Sequence, residues 1–132
     1  MNDQISFFEQ KLNYEMDPWD LHDAIIRGEK LVVIDARSKE SFEDEHIPGA
    51  INIHHRVMSQ ETTSHLNKDL LYVTYCTGVG CNASTKGALK LSKLGFKVKE
   101  LIGGLDWWKR DNYETEGMGA RVGKKVLCDC QN

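Results

Sequence analysis

Cys76 stands where an apolar run, LLYVTYC (Leu70 to Cys76), gives way to Thr77-Gly78-Val79-Gly80-Cys81 and then to a helical pattern, ASTKGALKLSKLGF. Glycines let such a loop curl so that several backbone N–H groups point inward at one anion. A helix that starts directly after the loop adds the positive end of its dipole. Both effects favour a thiolate over a thiol, which is what a sulfur nucleophile needs. They equally favour a persulfide anion. Phosphate chemistry on a cysteine normally adds an arginine to neutralise the oxygens. No charged side chain lies between Cys76 and Asn82, and the nearest basic residue downstream is Lys86. The loop therefore suits a small, soft or singly charged group better than a dianionic phosphate. The competing reading is a buried structural cysteine that closes a core strand.

Three further cysteines complete the set: Cys81 in mid-chain, and Cys128 and Cys130 near the C-terminal end. An even count suits a disulfide framework in a secreted protein, whereas in a cytosolic chain such cysteines are more often reactive or metal-binding. The segment MNDQISFFEQKLNYEMD carries acids and no basic leader, so a cytoplasmic location is expected. A chain of 132 residues makes one domain, long enough to bury a core without obligatory staples. Apolar residues make up 40% and charged residues 28%, ordinary for a globular protein. No apolar run approaches the roughly 18 residues of a membrane span. A net charge of −3 with mixed signs argues against a nucleic-acid groove. Neither nucleic acid nor a membrane is an expected partner.

The elements that must hold Cys76 can be read from pattern. Ile5, Phe8 and Leu12 recur at helical spacing, so residues 4 to 14 read as an extra helix. Asp17-Pro18 starts a helix that Gly28 ends. LVVID (Leu31 to Asp35) reads as a buried strand of the kind found in parallel sheets. A short polar helix comes after Ser38, then a turn at Pro48-Gly49 and a short strand, Ala50 to Ile53. Residues 54 to 69 read as a loop with one helix around Val57 to Leu66. The run ending at Cys76 is the clearest central strand. After the helix closed by Gly95 come a strand at Val98 to Ile102, a Gly103-Gly104 turn and a short helix, LDWWKRDN. Within the glycine-rich tail, Lys125 to Cys128 is the one candidate strand. Alternating strands and helices imply an α/β domain with a mostly parallel sheet. In such sheets sites form beyond the carboxyl ends of strands, which places Asp35 and Cys76 near one face.

Three stretches carry a resemblance: VIDARSKESFEDEHIPGAINI (Val33 to Ile53), YCTGVGCNASTKGALKLSKLGF (Tyr75 to Phe96) and ELIGGLDWWKRDNY (Glu100 to Tyr113). In this order they resemble the single-domain rhodaneses, a sulfurtransferase family. The resemblance implies a rhodanese-like α/β fold, a central five-stranded, mostly parallel sheet flanked by helices on both faces. It divides the chain into an N-terminal extension (1–16), a rhodanese-like domain (17–115) and a tail with Cys-Asp-Cys (116–132). It implies that Cys76 is catalytic, taking sulfane sulfur from a donor and passing it to a thiophilic acceptor. No metal and no cofactor beyond the covalent cysteine persulfide are expected. Sulfurtransferases of the family have a six-residue active loop, and related phosphatases and arsenate reductases have seven. Cys76 to Cys81 is six residues, namely Cys76, Thr77, Gly78, Val79, Gly80 and Cys81.

The sequence departs from the family in having an uncharged loop whose sixth position is Cys81. Thiosulfate is accordingly expected to be a poor donor, and a persulfide on a small thiol or a sulfur-carrier protein a better one. Cys81 has two readings. It is a resolving thiol that attacks the Cys76 persulfide and expels sulfide, or it is a small residue at a helix start with its sulfur turned away. The resemblance implies that Asp35 and Arg37 lie near the active loop and tie it to the following helix. The competing reading pairs Arg37 with Glu40, Glu43 or Glu45, and Arg37 is the best candidate for a positive charge near the pocket mouth. His46, just before a turn, is read as a loop brace rather than a base. Adjacent His54 and His55 point to different sides of an extended chain, poor spacing for a shared metal. One of Trp107 and Trp108 should be core. Cys128 and Cys130 read as a soft-metal pair, a redox arm or an incidental exposed pair. The expected function is sulfur transfer through a Cys76 persulfide, and the alternative is a relay or redox-sensing module that uses Cys76 and Cys81 without turnover. A phosphatase or arsenate reductase fits poorly.

Overall fold

In chain order, helix α1 (Asn2–Tyr14) runs into strand β1 (Glu15–Met16), followed by α2 (Pro18–Ile26), β2 (Leu31–Asp35) and α3 (Lys39–Asp44). Then come β3 (Ile51–Asn52), a 3-10 turn (His55–Val57), β4 (Leu71–Tyr75), α4 (Ala83–Lys93), β5 (Lys97–Leu101) and α5 (Gly104–Arg110). The computed structural model describes residues 2–123, so Cys128, Cys130 and the strand expected at Lys125 to Cys128 lie outside the described residues. Local chemistry explains the helix starts. The Asp17 carboxylate accepts from the Asp20 N–H (2.8 Å), with Pro18 in the first turn of α2. The Ser38 hydroxyl accepts from the Ser41 N–H (3.3 Å) at the start of α3. Each cap satisfies a donor that has no partner within its helix.

The strands form one sheet in the order β1-β5-β4-β2-β3, and every pair is parallel. Period-2 alternation sends the two faces of each strand into different cores. Val33, Val73, Tyr75 and Leu101 join Leu21 of α2 and Leu105 and Trp108 of α5. Ile34, Tyr72 and Cys76 join Ala83 and Leu91 of α4 on the other face. Both central strands are buried on both faces, hence their continuous apolar character.

Residues 15 and 16, which the sequence left in an extension, are the fifth strand. Two residues carry no periodicity, so only pairing with Glu100 and Leu101 defines them. The helix expected around Val57 to Leu66 is absent. There the chain makes the 3-10 turn and then hydroxyl-supported turns, with Thr62 and Thr63 donating to carbonyls of Val57 and Ser59. Side-chain hydroxyls that satisfy nearby backbone groups compete with helix formation. That 3-10 turn also brings the His54 and His55 rings to 4.7 Å, rather than to opposite sides. No helix among the described residues is long and apolar enough to cross a membrane.

The chain beyond α5 is stitched back onto α3. His46 and Glu116 exchange backbone hydrogen bonds (2.8 and 2.9 Å), and the Gly119 N–H donates to the Asp44 carbonyl (2.7 Å). The Glu45 carboxylate accepts from Lys109 Nζ (2.9 Å) and Thr115 Oγ1 (2.7 Å). Burial works to raise its pKa. The bonds from Lys109 and Thr115 and the charges of Lys109 and Arg121 outweigh that and hold it below its ordinary value. A carboxylate depressed in the folded state adds stability above its unfolded value, near 4.5, and loses it as pH falls through the folded value. Wild type is therefore expected to lose more melting temperature than Glu45→Gln between pH 7 and pH 3. Thermal denaturation at both pH values checks this, and equal losses would remove Glu45 from the account.

Candidate functional site

β2 and β4 are neighbours, but the chain leaves them in opposite directions. From β2 it crosses to α3, whose Phe42 packs on the Trp108 core, and from β4 it crosses to α4 on the opposite face. Such a point opens a crevice at the carboxyl ends of the strands. Cys76 is the first residue beyond β4 and only 1% exposed. It lines a cavity of about 650 Å³ with Gly78 to Asn82, Ser84, Thr85, Glu15, Glu100 and residues 101 to 104.

The loop from Cys76 to Cys81 is shaped by backbone bonds at both ends. The Cys81 N–H donates to the Gly78 carbonyl (3.1 Å), closing a turn whose tip, Val79, is 79% exposed. On the other side α5 begins against the loop, where Leu105 N–H donates to the Cys76 carbonyl (2.9 Å) and Asp106 N–H to that of Thr77 (2.8 Å). The first N–H groups of a helix lack partners within it, and here they take up the loop's carbonyls. Gly103 and Gly104 make the approach possible. Both have positive φ (77° and 58°), and a Cβ on Gly104 would collide with the Cys76 carbonyl. Glycine alone adopts such backbone angles without penalty. The first turn of α4 has no side-chain cap on Asn82, which leaves its dipole directed at the loop.

Cys76 and Cys81 are joined by a disulfide with a Cα–Cα distance of 6.2 Å, a separation that disulfides ordinarily span. The curled loop is thus compatible with a bond across four intervening residues, and the Cys81 sulfur faces Cys76 instead of turning away. In this oxidised state no thiolate is present, and nucleophilic chemistry at Cys76 starts from the reduced pair.

Asp35 and Cys76 share the carboxyl end of the sheet but not a face. Asp35, one residue out of phase with Ile34, points to the Tyr75 side, and Cys76 points to the α4 side. Asp35 is fully buried and completely ligated. It accepts from the Arg37 backbone N–H (2.9 Å), from Arg37 Nε (2.9 Å) and Nη2 (2.7 Å), and from Tyr75 Oη (2.9 Å). Arg37 reaches on to the Glu45 carbonyl (2.6 Å) and stacks over the Tyr75 ring. Its carboxylate partner is therefore Asp35, not the side chain of Glu40, Glu43 or Glu45. Arg37 is not among the residues lining the cavity and supplies no charge at its mouth. It ties down the 45–47 turn, not the active loop. Tyr75 completes the network by accepting from the Ile47 N–H (3.1 Å). Burial, then the Asp35 charge, push its phenol well above the ordinary value, so it stays a neutral donor. Sequence reasoning missed Tyr75, whose one signal was a hydroxyl-bearing aromatic directly before Cys76.

The remaining residues divide cleanly. His46 donates from Nδ1 to the Phe42 carbonyl (2.6 Å) and stacks on the Phe42 ring, a brace within the 42–46 turn. Trp108 is fully buried and donates from Nε1 to the Glu114 carbonyl (2.8 Å), while Trp107 is 44% exposed beneath Arg110. Sequence reasoning also missed Glu100. It pairs in register with Thr74 and accepts at Oε2 from Ser84 Oγ (2.7 Å) and Thr85 Oγ1 (2.6 Å).

Most of the chain is similar to known proteins. A family model described as Rhodanese-like domain matches residues 18–111. The solved BH2092 protein of Bacillus halodurans is 38% identical, covering 98% of this chain and 95% of its own, with a TM-score of 0.87. Thiosulfate sulfurtransferase GlpE of Coxiella burnetii is 31% identical over 96 residues, 71% of this chain and 82% of that protein. Adenylyltransferase and sulfurtransferase UBA4 of Candida albicans is 29% identical over 110 residues, and the match spans 24% of its length.

Two substitutions test the positioning groups. Asp35→Ala strands the nearly buried Arg37 cation and is expected to cost about 3–5 kcal/mol in chemical denaturation. Gly104→Ala adds a Cβ at positive φ against the Cys76 carbonyl. It is expected to cost about 1–3 kcal/mol and to slow alkylation of reduced Cys76. An unchanged alkylation rate would show that α5 does not set the loop.

Proposed function

This chain belongs to the rhodanese-like domain family, and from that premise we propose that it is a sulfurtransferase carrying sulfane sulfur on Cys76. The observation that supports the reading is Cys76 itself, at a strand end, in a six-residue glycine-rich loop that lines an open cavity and has no cationic side chain. The similarity to proteins named sulfurtransferases supports the same class. In the reduced protein the Cys76 thiolate attacks the outer sulfur of a donor persulfide, R–S–SH. The donor S–S bond breaks, R–S⁻ leaves, and Cys76 holds –S–SH. A thiophilic acceptor, such as a small thiol, cyanide or a sulfur-carrier protein, then takes that sulfur. The relative that joins an adenylyltransferase to a sulfurtransferase supports a protein acceptor alongside small ones.

Arg37 is committed to Asp35 and two carboxylates line the cavity, so among the described residues no side chain lining it neutralises a phosphate or arsenate dianion. Cys81 acts as a resolving thiol. Its thiolate attacks the Cys76 sulfur of the persulfide, hydrosulfide leaves, and the Cys76–Cys81 disulfide forms. Two equivalents of a low-molecular-weight thiol return the dithiol, giving one small-molecule disulfide, as a reducing cytoplasm provides. The disulfide also supports a second reading, a relay or redox-sensing module without turnover.

Thiocyanate and sulfide formation from thiosulfate and from a small-thiol persulfide separate the readings. Cys76→Ser is expected to abolish transfer. Cys81→Ser is expected to keep thiocyanate formation, to stop spontaneous sulfide release and to hold a stable gain of about 32 Da, one sulfur atom, on Cys76 by mass spectrometry. Full activity in Cys76→Ser would overturn the proposal, and stoichiometric labelling without turnover would favour the relay.

A further inference from the structure

The cavity's charge is opposite to what an anionic sulfur donor requires. Among the described residues, the charged side chains that line it are Glu15 and Glu100. Glu15 is offset by Lys11 (2.9 Å). Glu100 has no Lys, Arg or His partner among the described residues, and its two hydroxyl donors both bind Oε2, leaving Oε1 unpartnered. Geometry puts this carboxylate on the reactive side of the sheet. Glu100 is paired with Thr74, and Thr74 and Cys76 are two residues apart along the same stretch of chain. All three side chains therefore project toward α4. Ser84 and Thr85 lie in the first turn of α4, so a full negative charge sits against a helix end worth about half a positive one. The loop's glycines and the α4 N-terminus suit a single sulfur anion at Cys76. Farther out, where the rest of a donor must sit, the lining charge without an ion-pair partner is the Glu100 carboxylate, which favours a cation.

We propose that Glu100 makes this cavity select persulfides of small aminothiols, whose ammonium pairs with the free Oε1, over anionic donors such as thiosulfate. The proposal rests on the sulfurtransferase reading above. The transfer is balanced as before. The Cys76 thiolate takes the outer sulfur of ⁺H₃N–R–S–SH, the S–S bond breaks, and ⁺H₃N–R–S⁻ leaves and gains a proton from water. Glu100 exchanges no proton or bond. It is a binding group that sets which donor is held.

The test uses the reduced full-length protein, cyanide as acceptor, and three donors: cysteamine persulfide, its neutral near-isostere 2-hydroxyethyl persulfide, and thiosulfate. Wild type is expected to show kcat/KM about tenfold higher for the ammonium donor than for the hydroxyl donor, with thiosulfate lowest. Added potassium chloride narrows the first ratio. In Glu100→Gln, which keeps an acceptor for Ser84 and Thr85, the ammonium-to-hydroxyl ratio should fall to near one. Thiosulfate should gain about tenfold relative to the hydroxyl donor. Transfer with the same ratios in both proteins overturns the role of Glu100 and leaves the sulfurtransferase reading intact. Should the variant not fold, the wild-type ranking and its salt dependence decide, and no preference for the ammonium donor overturns the proposal. Transfer from none of the three donors to wild type overturns the functional reading and this inference together.

Discussion

A fully buried carboxylate, Asp35, holds the working end of the sheet together. An ionised group in that position is tolerable only if its lone pairs are filled and its charge is met, and Arg37 and Tyr75 do both. Through them the constraint spreads. Arg37 fixes the Glu45 carbonyl, Tyr75 fixes Ile47, and Asn52 ties the carbonyls of Asp35 and Arg37 to β3. The residue after Tyr75 is Cys76. Pinning the Tyr75 hydroxyl therefore fixes where β4 stops and which way the next side chain must point.

Beyond β4 the backbone governs the geometry more than the side chains do. Five of the six loop positions carry small or hydroxyl side chains, and Val79 faces solvent. The loop is held by the start of α5, which lends its unpaired N–H groups to the carbonyls of Cys76 and Thr77. With those carbonyls turned outward, the loop can present N–H groups to a sulfur anion. The disulfide brings the second sulfur to the same place. One short loop thus carries both sulfurs while α5 holds its carbonyls.

The electrostatics of the crevice reflect the same economy. Arg37 is used structurally, and among the described residues the charged side chains that line the cavity are carboxylates. Soft, weakly charged sulfur chemistry tolerates this, because sulfane transfer needs a thiolate and a good leaving thiolate rather than neutralisation of several oxygens.

The sequence alone was enough for the α/β class, the central strands and the place of Cys76 at the end of one of them. Those signals are local: β-branched runs, caps at Asp17 and Ser38, and glycines flanking a cysteine at a strand-to-helix junction. β1 escaped because two residues have no period, and the helix expected near Val57 failed because serine and threonine hydroxyls claim the backbone there. Tertiary structure decided everything that depends on which face a side chain takes. It put Asp35 and Cys76 on opposite sides of the sheet, and matched Arg37 to Asp35 rather than to the nearby glutamates. It set Glu100 beside Ser84 and Thr85, and brought Cys81 within bonding reach of Cys76. Each of these depends on strand register or on how the chain crosses the sheet, and a linear pattern carries neither. That is why the sequence could single out Cys76 as a candidate, and only the fold could say what surrounds it.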